Sequence, residues 1–385
     1  MPAPMKPTAI LAALLIAPAT IAAVLDTDPA NKRLTILSDG TWQKGKTPAP
    51  RFEIKNITWP TQPGEAEICL WKDDKLAAYN ISIDDNAAVN VPWWFEQEEK
   101  YGWRFTWFLI TGGIKENGSH VMAGNWPLWR EAAKRGHELG SHTVNHLHDE
   151  RDTWQGVENE YAASKKAIED NIPGYRVHTL AYPGGPKSGL DENNSYAHAV
   201  KHYSAIRGGF SYPSTANRID YGAINAMSTP NLGDLEKPQP WADVTQILTP
   251  GSKNYRGWAN QLFHYIREEN KPAALKFLDW VKANEDKIWM DTFGNIARYA
   301  QQRDTATLTV TRNGPKEIAF KIEDRMDDAI FDIPLTVKVR LPDDWKNVTA
   351  QQAANPAAAK LIEHEGNNYA LVSAIPDRGE VVLTP

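Results

Sequence analysis

The sequence has little of several features that would point to a function class. It holds one cysteine, Cys69, among 385 residues, so no intramolecular disulfide can form. It contains no run of basic residues and carries a formal net charge of -6. Nucleic-acid binding needs clustered lysine and arginine to neutralise phosphates. We therefore expect no nucleic-acid partner and treat Cys69 as a small buried apolar residue.

Long apolar runs are also scarce, and the most apolar segment lies at the start of the chain. Residues 1–23 contain Lys6, an apolar stretch from Ala9 to Ala17 and small residues ending at Ala23. This layout predicts a secretory signal peptide cleaved near Ala23. Because the stretch is short for a bilayer and Pro18 interrupts it, we favour this interpretation over a permanent anchor. The mature protein is then expected to be secreted or periplasmic, without a stable membrane span.

The middle of the chain alternates between strand-like and helix-like segments. Such alternation predicts a parallel α/β sheet, and the number of units favours a closed or nearly closed barrel. A connection rich in proline and glycine is expected from about Pro213 to Gly251. The predicted strands are Ala77–Ile83, Arg104–Thr111, Leu139–Ser141, Val177–Ala181, a strand beginning at Ser204, Ala259–Ile266 and Ile288–Asp291. The predicted helices are Pro92–Lys100, Asn125–Arg135, Trp154–Asn171, Ser195–Lys201, Pro272–Asn284 and Phe293–Gln302.

The pattern changes after Arg303, where apolar and polar residues alternate with period two. Turn-like sequences such as Asn313-Gly314-Pro315 separate these segments. This alternation predicts an antiparallel β domain, expected to be a sandwich, over residues 304–385. It contains one of the ten histidines, so we do not place catalysis there. We assign residues 71–303 to the barrel and residues 24–70 to an N-terminal β extension packing on either domain.

Two adjacent acidic residues, Asp84 and Asp85, directly follow the predicted strand Ala77–Ile83. In parallel α/β barrels the carboxyl ends of the strands build the active site. Acidic pairs are also common in turns and helix caps, and that interpretation stays open on these two residues alone.

Two histidines, His142 and His146, follow the predicted strand Leu139–Ser141. At a spacing of four residues both imidazoles would share one face of a helical turn and reach one metal ion. Surface histidines also produce this spacing by chance. His148 need not point the same way, and we expect it to lie outside the ligand set. Two histidines with one carboxylate leave coordination positions open, which suits either hydrolysis or iron-dependent oxygen chemistry.

Five segments together resemble the polysaccharide deacetylase family, which is NodB-like and also called carbohydrate esterase family 4. SIDD at Ser82–Asp85 resembles its first motif, HTVNH at His142–His146 its second and AYPGG at Ala181–Gly185 its third. WANQLFHYI around His264 resembles its fifth motif, and IWMDTFGNIARY resembles its closing strand and helix. The resemblance implies a distorted (β/α) barrel of the NodB type.

The same resemblance implies roles for individual residues. Asp85, His142 and His146 would bind a divalent metal, Asp84 would act as general base and His264 as general acid. We expect zinc, although Co2+, Ni2+ or Fe2+ would also suit this ligand set. The substrate would be an acetylated carbohydrate, with the acetyl group linked through nitrogen or oxygen. Two other classes stay open: a non-catalytic carbohydrate-binding relative and a C-N hydrolase acting on a non-sugar amide.

The remaining site predictions concern the oxyanion and the sugar. The loop after Pro183 is expected to supply a backbone N-H, with Gly184 as the candidate donor and Tyr182 beside it. Fifteen tryptophans are many for this length, and aromatic faces can pack on sugar rings. We expect most of them to lie in the core and name Trp94 and Trp126 as candidate sugar contacts.

The chain departs from the family pattern in two places. Ala181 stands where the third motif often has an arginine that orients the base, and we hypothesise that Arg207 supplies this guanidinium instead. The fourth motif, a carboxylate with a nearby tryptophan, is not identified. The substrate's identity therefore stays open, and so does the oligomeric state.

Overall fold

The computed structural model describes residues 50–118, 121–147, 154–185, 195–228 and 243–385. The predicted signal peptide, residues 24–49 of the predicted extension and His148 lie outside these ranges. Within the described part of the chain, no helix has the length and apolar character that a membrane crossing requires.

The first strand of the described chain is β1 (Ala66–Ile68), and the next seven close a parallel barrel. Strand β2 is central to this barrel because it pairs with β3 on one side and β8 on the other. Strand β9 pairs with the first half of β2, beside β3. Every residue of β2 is buried, including the polar Asn80 and Ser82, so its sequence is mostly apolar and does not alternate with period two. The strands are β2 (Ala77–Ile83), β3 (Thr106–Leu109), β4 (Glu138–Ser141), β5 (Thr179–Ala181), β6 (Ala205–Phe210), β7 (Ile224–Ser228), β8 (Trp258–Phe263) and β9 (Ile288–Met290).

Six α-helices of the described residues surround this barrel. Their ends follow local signals: α1 has a proline in its first turn and ends at Gly102 with φ 78°. Asn125 caps α2, accepting a hydrogen bond from the Leu128 N-H at 2.9 Å, as expected. The helices are α1 (Val91–Tyr101), α2 (Trp126–Lys134), α3 (Trp154–Asn171), α4 (Ser195–Ala199), α5 (Lys271–Ala283) and α6 (Phe293–Thr305).

Two antiparallel sheets follow the barrel, which confirms the predicted β class of this region. One sheet has the order β1-β12-β16-β15 and the other β10-β11-β17-β13-β14. Strand β1 pairs with β12 in antiparallel register, so the described part of the extension joins the C-terminal sheets. The strands are β10 (Thr307–Gly314), β11 (Glu317–Glu323), β12 (Leu335–Arg340), β13 (Thr349–Gln352), β14 (Asn355–Ala357), β15 (Ala359–His364), β16 (Asn367–Ala374) and β17 (Val381–Thr384).

One barrel strand differs from the sequence prediction. Strand β7 lies inside the segment expected to be a connection from Pro213 to Gly251. It pairs with β6 through Arg207 and Ile224 and with β8 through Met227 and Gln261. Its sequence, INAMS, has one β-branched residue and no aromatic, so it gives little strand signal and its two neighbouring strands define it. Without β7 the ring of parallel strands would not close.

Candidate metal centre

The first part of the site is the loop that follows β2. The Asp84 N-H donates to the Phe263 carbonyl at 2.9 Å and so extends the pairing of β2 with β8 by one residue. Asp85 then turns into the left-handed region with φ 57°. The two neighbouring carboxylates consequently lie in different environments. The Asp84 side chain is 2% exposed and that of Asp85 is 39% exposed.

The second part is the loop that follows β4, and here the predicted helical turn is wrong. Residues 142–146 are irregular, and Thr143 and His146 have φ values of 68° and 59°. The backbone carbonyls of Thr143 and Val144 accept hydrogen bonds from the N-H groups of Thr111 and Gly112, so they do not bond within a helix. The two imidazoles still meet, with ring centroids 4.8 Å apart.

The position of this loop depends on a buried acid that sequence reasoning missed. Glu160 on α3 accepts hydrogen bonds from the backbone N-H of Asn145 at 2.7 Å and from its side-chain amide at 2.6 Å. Asn145 directly precedes His146, so this contact fixes the backbone beside that imidazole. The only available sequence signal is an acid on the same helical face as the core residues Tyr161, Ser164 and Ile168.

Asn86, also missed, ties the β2 loop to the end of β3. Its side chain accepts from the Ile110 N-H at 2.8 Å and donates to the Ile110 carbonyl at 3.3 Å. It also donates to the Ala123 carbonyl at 3.1 Å. Three hydrogen bonds to backbone groups make a side chain a brace for a loop. The only sequence signal for this role of Asn86 was its place directly after the acidic pair.

Asp85, His142 and His146 each offer one ligand atom, and these atoms lie within 4.8 Å of one another. The nearer oxygen of Asp85, Oδ1, is 3.5 Å from His142 Nε2 and 3.4 Å from His146 Nε2. His142 Nδ1 lies 2.7 Å from the Ala181 carbonyl, to which it donates, so Nε2 is left with its lone pair. Burial, helped by the positive charge of Arg207, lowers the pKa of His142 to about 3. His142 is therefore neutral, as a metal ligand must be.

A divalent metal fits these residues. Asp85 Oδ1 is buried and has no hydrogen-bond partner among the described residues, and the same holds for Asp84 Oδ1. Buried carboxylate oxygens without partners are costly unless a cation or a proton donor satisfies them. The sequence prediction placed Asp85, His142 and His146 in one ligand set, and the structure brings these three together.

Asp84 has a different partner. Arg207 on β6 is 3% exposed and donates through Nη2 to Asp84 Oδ2. Burial raises the pKa of Asp84 above its usual value, and the Arg207 guanidinium opposes this rise. In the pairing of β5 with β6, Arg207 lies opposite Ala181, the residue found where related motifs often have arginine. The guanidinium thus reaches the Asp84 carboxylate from the neighbouring strand.

His264 follows β8 directly and completes the set of titratable residues around the carboxylates. Its Nε2 lies 4.0 Å from Asp85 Oδ2, and its side chain is 47% exposed. Gly184 is also exposed and has φ 64°, in the turn that follows β5. His264 and Gly184 both follow the carboxyl ends of barrel strands, so they lie at the same edge of the barrel as Asp84 and Asp85.

The structure corrects three of the expected substrate contacts. Trp94 is fully buried and packs on Phe105 and Phe263, with ring centroids 5.0 and 5.4 Å apart. Trp126 is 5% exposed, so neither tryptophan presents an open face to a sugar. The Tyr182 side chain is fully buried and its hydroxyl donates to the Gly222 carbonyl at 2.9 Å, within the barrel wall.

The structure combines a parallel α/β barrel with a candidate Asp-His-His metal site beside a buried carboxylate. Residues 75–203 match the family model described as polysaccharide deacetylase. This range contains the β2 loop, the β4 loop and the turn after β5. The segment that carries the candidate site therefore matches the polysaccharide deacetylase family.

One relative covers more of the chain. A protein named gellan lyase from a Bacillus species is 38% identical over an alignment of 355 residues, which covers 85% of this chain. The chain spans 14% of the length of that relative.

Solved structures similar to this chain are distant. They include the peptidoglycan deacetylase PdaC from Bacillus subtilis, with 14% identity, a TM-score of 0.37 and coverage of 60% of this chain and 94% of that one. A CE4 family pseudoenzyme from Bacillus anthracis has 15% identity, a TM-score of 0.37 and coverage of 58% and 66%. A domain of a multidomain xylanase from the hindgut metagenome of Trinervitermes trinervoides has 15% identity, a TM-score of 0.35 and coverage of 57% and 89%. Similarity at this level carries no argument about activity.

Proposed function

We propose that this chain is a metal-dependent deacetylase that hydrolyses acetyl groups, linked through nitrogen or oxygen, from a polysaccharide or oligosaccharide. The observation that carries the proposal is the separation of two carboxylates. Asp85 Oδ1 is close to both His142 Nε2 and His146 Nε2, at 3.5 and 3.4 Å. Asp84 pairs with Arg207 and approaches one of the two histidines, with Oδ2 3.6 Å from His142 Nε2. A hydrolase of this type needs one carboxylate to hold a cation and another to accept a proton.

The protein residues would then divide the reaction between them. A divalent cation held by Asp85, His142 and His146 would supply Lewis-acid chemistry, polarising the acetyl carbonyl and acidifying water. Asp84 would accept the proton of the attacking water as its oxygen bonds to the carbonyl carbon. The buried Arg207 would hold Asp84 in place and favour its charged form.

The leaving group and the oxyanion would be handled by other elements. His264 would donate a proton to the sugar nitrogen or oxygen as its bond to the acetyl carbon breaks, which yields acetate and a free amine or hydroxyl. Exposure of His264 suits contact with a large substrate. The Gly184 N-H would donate to the developing oxyanion. Zinc is the proposed metal, with Co2+, Ni2+ and Fe2+ as alternatives that the ligand types would also accept.

The substrate and location of the protein belong to the same proposal. An acetylated extracellular carbohydrate agrees with the predicted signal peptide and a secreted or periplasmic location. The relative named gellan lyase makes acetylated gellan a reasonable first substrate beside acetylated xylan, chitin oligomers and peptidoglycan fragments.

Acetate release from these four substrates, with and without chelator, tests the proposal. We expect release from at least one substrate, loss of release with chelator and recovery when metal is restored. If no substrate yields acetate after metal has been restored, the deacetylase proposal fails and the carbohydrate-binding alternative is favoured. Release of ammonia or amine from non-sugar amides alone would favour the C-N hydrolase.

The relative's name also raises a second candidate, eliminative cleavage of gellan. A lyase breaks the glycosidic bond and leaves an unsaturated sugar at the new end, whereas a deacetylase leaves the chain length unchanged. Ultraviolet absorbance and product size therefore separate the two activities in a single digest. New unsaturated ends without acetate would replace our proposal by the lyase.

A further inference from the structure

The segment after β8 carries His264, and the loop after β2 holds it at two points. At its start, the Phe263 carbonyl accepts the hydrogen bond from the Asp84 N-H. At its end, the Asn90 side chain binds both peptide groups of Ile266. It accepts from the Ile266 N-H at 2.7 Å and donates to the Ile266 carbonyl at 2.9 Å. His264 and Tyr265 thus lie between two fixed positions.

Asn90 makes these hydrogen bonds with Ile266 instead of capping helix α1. It stands at the N-cap position of α1, where an asparagine side chain commonly accepts a hydrogen bond from the first turn of the helix. Here it makes no capping bond. The side chain is 3% exposed and both of its polar atoms are used on Ile266, which is itself 3% exposed. Helix α1 therefore has no side-chain cap at Asn90, and this side chain instead joins the loop after β2 to the segment after β8.

The His264 imidazole needs this support because little else holds it. Among the described residues, none forms a hydrogen bond with its ring, and the carboxylate of Asp85 is 4.0 Å away. The place of the imidazole therefore depends on the backbone of residues 263–266. Both anchors of that backbone come from the loop that carries Asp84 and Asp85.

We propose that Asn90 is a positioning residue, which fixes His264 relative to Asp84 so that proton acceptor and proton donor face one substrate. This inference rests on the proposed function. A displacement of about 1 Å in such a group can lower a rate by about 100-fold. The effect should fall on the step in which His264 donates a proton, and it should spare metal binding.

The test measures hydrolysis of two substrates, an acetylated sugar and p-nitrophenyl acetate, by the wild-type protein and by the variants Asn90→Leu and Asn90→Ala. Leucine keeps most of the volume without the hydrogen bonds, so it remains informative if alanine does not fold. An acetylated sugar needs a proton donor for its leaving group, whereas p-nitrophenyl acetate releases a stable phenolate without one. We expect kcat on the sugar to fall by about 10- to 100-fold, while hydrolysis of the aryl ester stays within about threefold. Equal losses on both substrates, or no loss, would overturn the proposal.

Asn254→Ala is the matched control. Asn254 is also 3% exposed and donates through its side chain to a backbone carbonyl, that of Pro213, before β8 begins. The Asn254→Ala variant should lower stability by about as much as the Asn90 variants do. It should leave unchanged the ratio of the rate on the acetylated sugar to the rate on p-nitrophenyl acetate.

A second measurement separates this proposal from the proposed function. If the wild-type protein releases no acetate from any acetylated carbohydrate, the function fails, and amide hydrogen exchange then decides on Asn90. Exchange at Ile266 should accelerate in Asn90→Leu, and the NMR resonances of the His264 ring should shift, with neither change in Asn254→Ala. Unchanged exchange at Ile266 and an unchanged His264 ring would refute the positioning role.

Discussion

Replacement of Arg207 by alanine should change both stability and the pH dependence of hydrolysis. Arg207 and Asp84 are 3% and 2% exposed, so the pair lies out of water and its charges are hardly screened. Loss of one partner from a buried pair typically costs about 3 to 5 kcal/mol, because the other charge stays buried alone. Protonation of Asp84 would relieve part of this cost.

The direction of the pH effect follows from the two influences on Asp84. Burial raises the pKa of this carboxyl and Arg207 lowers it, so removal of Arg207 raises the pKa further. A carboxyl with a raised pKa in the folded state stabilises the fold in acid, and this contribution is lost as pH rises through that pKa. Arg207→Ala should therefore lose more stability at neutral pH than in acid. The acidic limb of its pH-rate profile should move to higher pH, since Asp84 must be ionised to accept a proton.

The assay measures chemical denaturation and acetate release across pH, with Arg256→Ala as the control. Arg256 is 6% exposed and donates to the backbone carbonyl of Lys55 at 2.8 Å, remote from the carboxylate pair. The control should lose stability but keep the wild-type pH profile. If Arg207→Ala keeps the wild-type rate and pH profile, the assigned partnership of Arg207 with the base is wrong.

Two further predictions concern the C-terminal sheets and the metal-ligand loop. Burial, with the nearby acids, raises the pKa of Asp324 to about 6 from 3.8, so its charge destabilises the fold above that pH. This shift corresponds to about 3 kcal/mol before partial exposure is considered, and to about 1 to 2 kcal/mol after it. Asp324→Asn, which can still accept from the Met326 N-H, should raise the unfolding free energy at neutral pH and give little gain below pH 4; an equal gain at both pH values would contradict this. In Gly112→Ala the new Cβ would lie 2.8 Å from the Val144 carbonyl oxygen, so metal affinity measured by calorimetry should fall by about 10- to 100-fold. Gly118→Ala, where the nearest atom is 3.8 Å away, should bind metal normally, and equal affinities for the two variants would refute the argument.

The sequence predicted the elements whose signal is local. Strand β2 has its predicted bounds because all seven of its residues are buried and apolar side chains dominate it. Asn125 was recognised as a cap because capping depends on residues only three positions apart. The pairing of His142 with His146 was also predictable, although their loop is not helical. A spacing of four brings two side chains together in more than one backbone conformation.

Arg207 was hypothesised from the sequence as the partner of Asp84, but the strand pairing that places it there could not be predicted. The register that sets Arg207 opposite Ala181 depends on how β5 and β6 pair, and β7 is defined by its neighbours. Trp94 was named as a candidate sugar contact because aromatic faces can pack on sugar rings. Its spacing with Val91 and Tyr101 on one face of α1 would have indicated the core, where the structure places it.

The central claim is that one carboxylate holds a metal and its neighbour accepts a proton. The most direct test is a comparison of Asp84→Asn with Asp85→Asn, in which bound metal and acetate release are measured on the same preparations. We expect Asp84→Asn to keep about one metal ion per chain and to lose turnover, because the ligand set is intact and the base is absent. Asp85→Asn should lose both. Normal turnover in Asp84→Asn, or full metal binding in Asp85→Asn, would contradict the assigned roles.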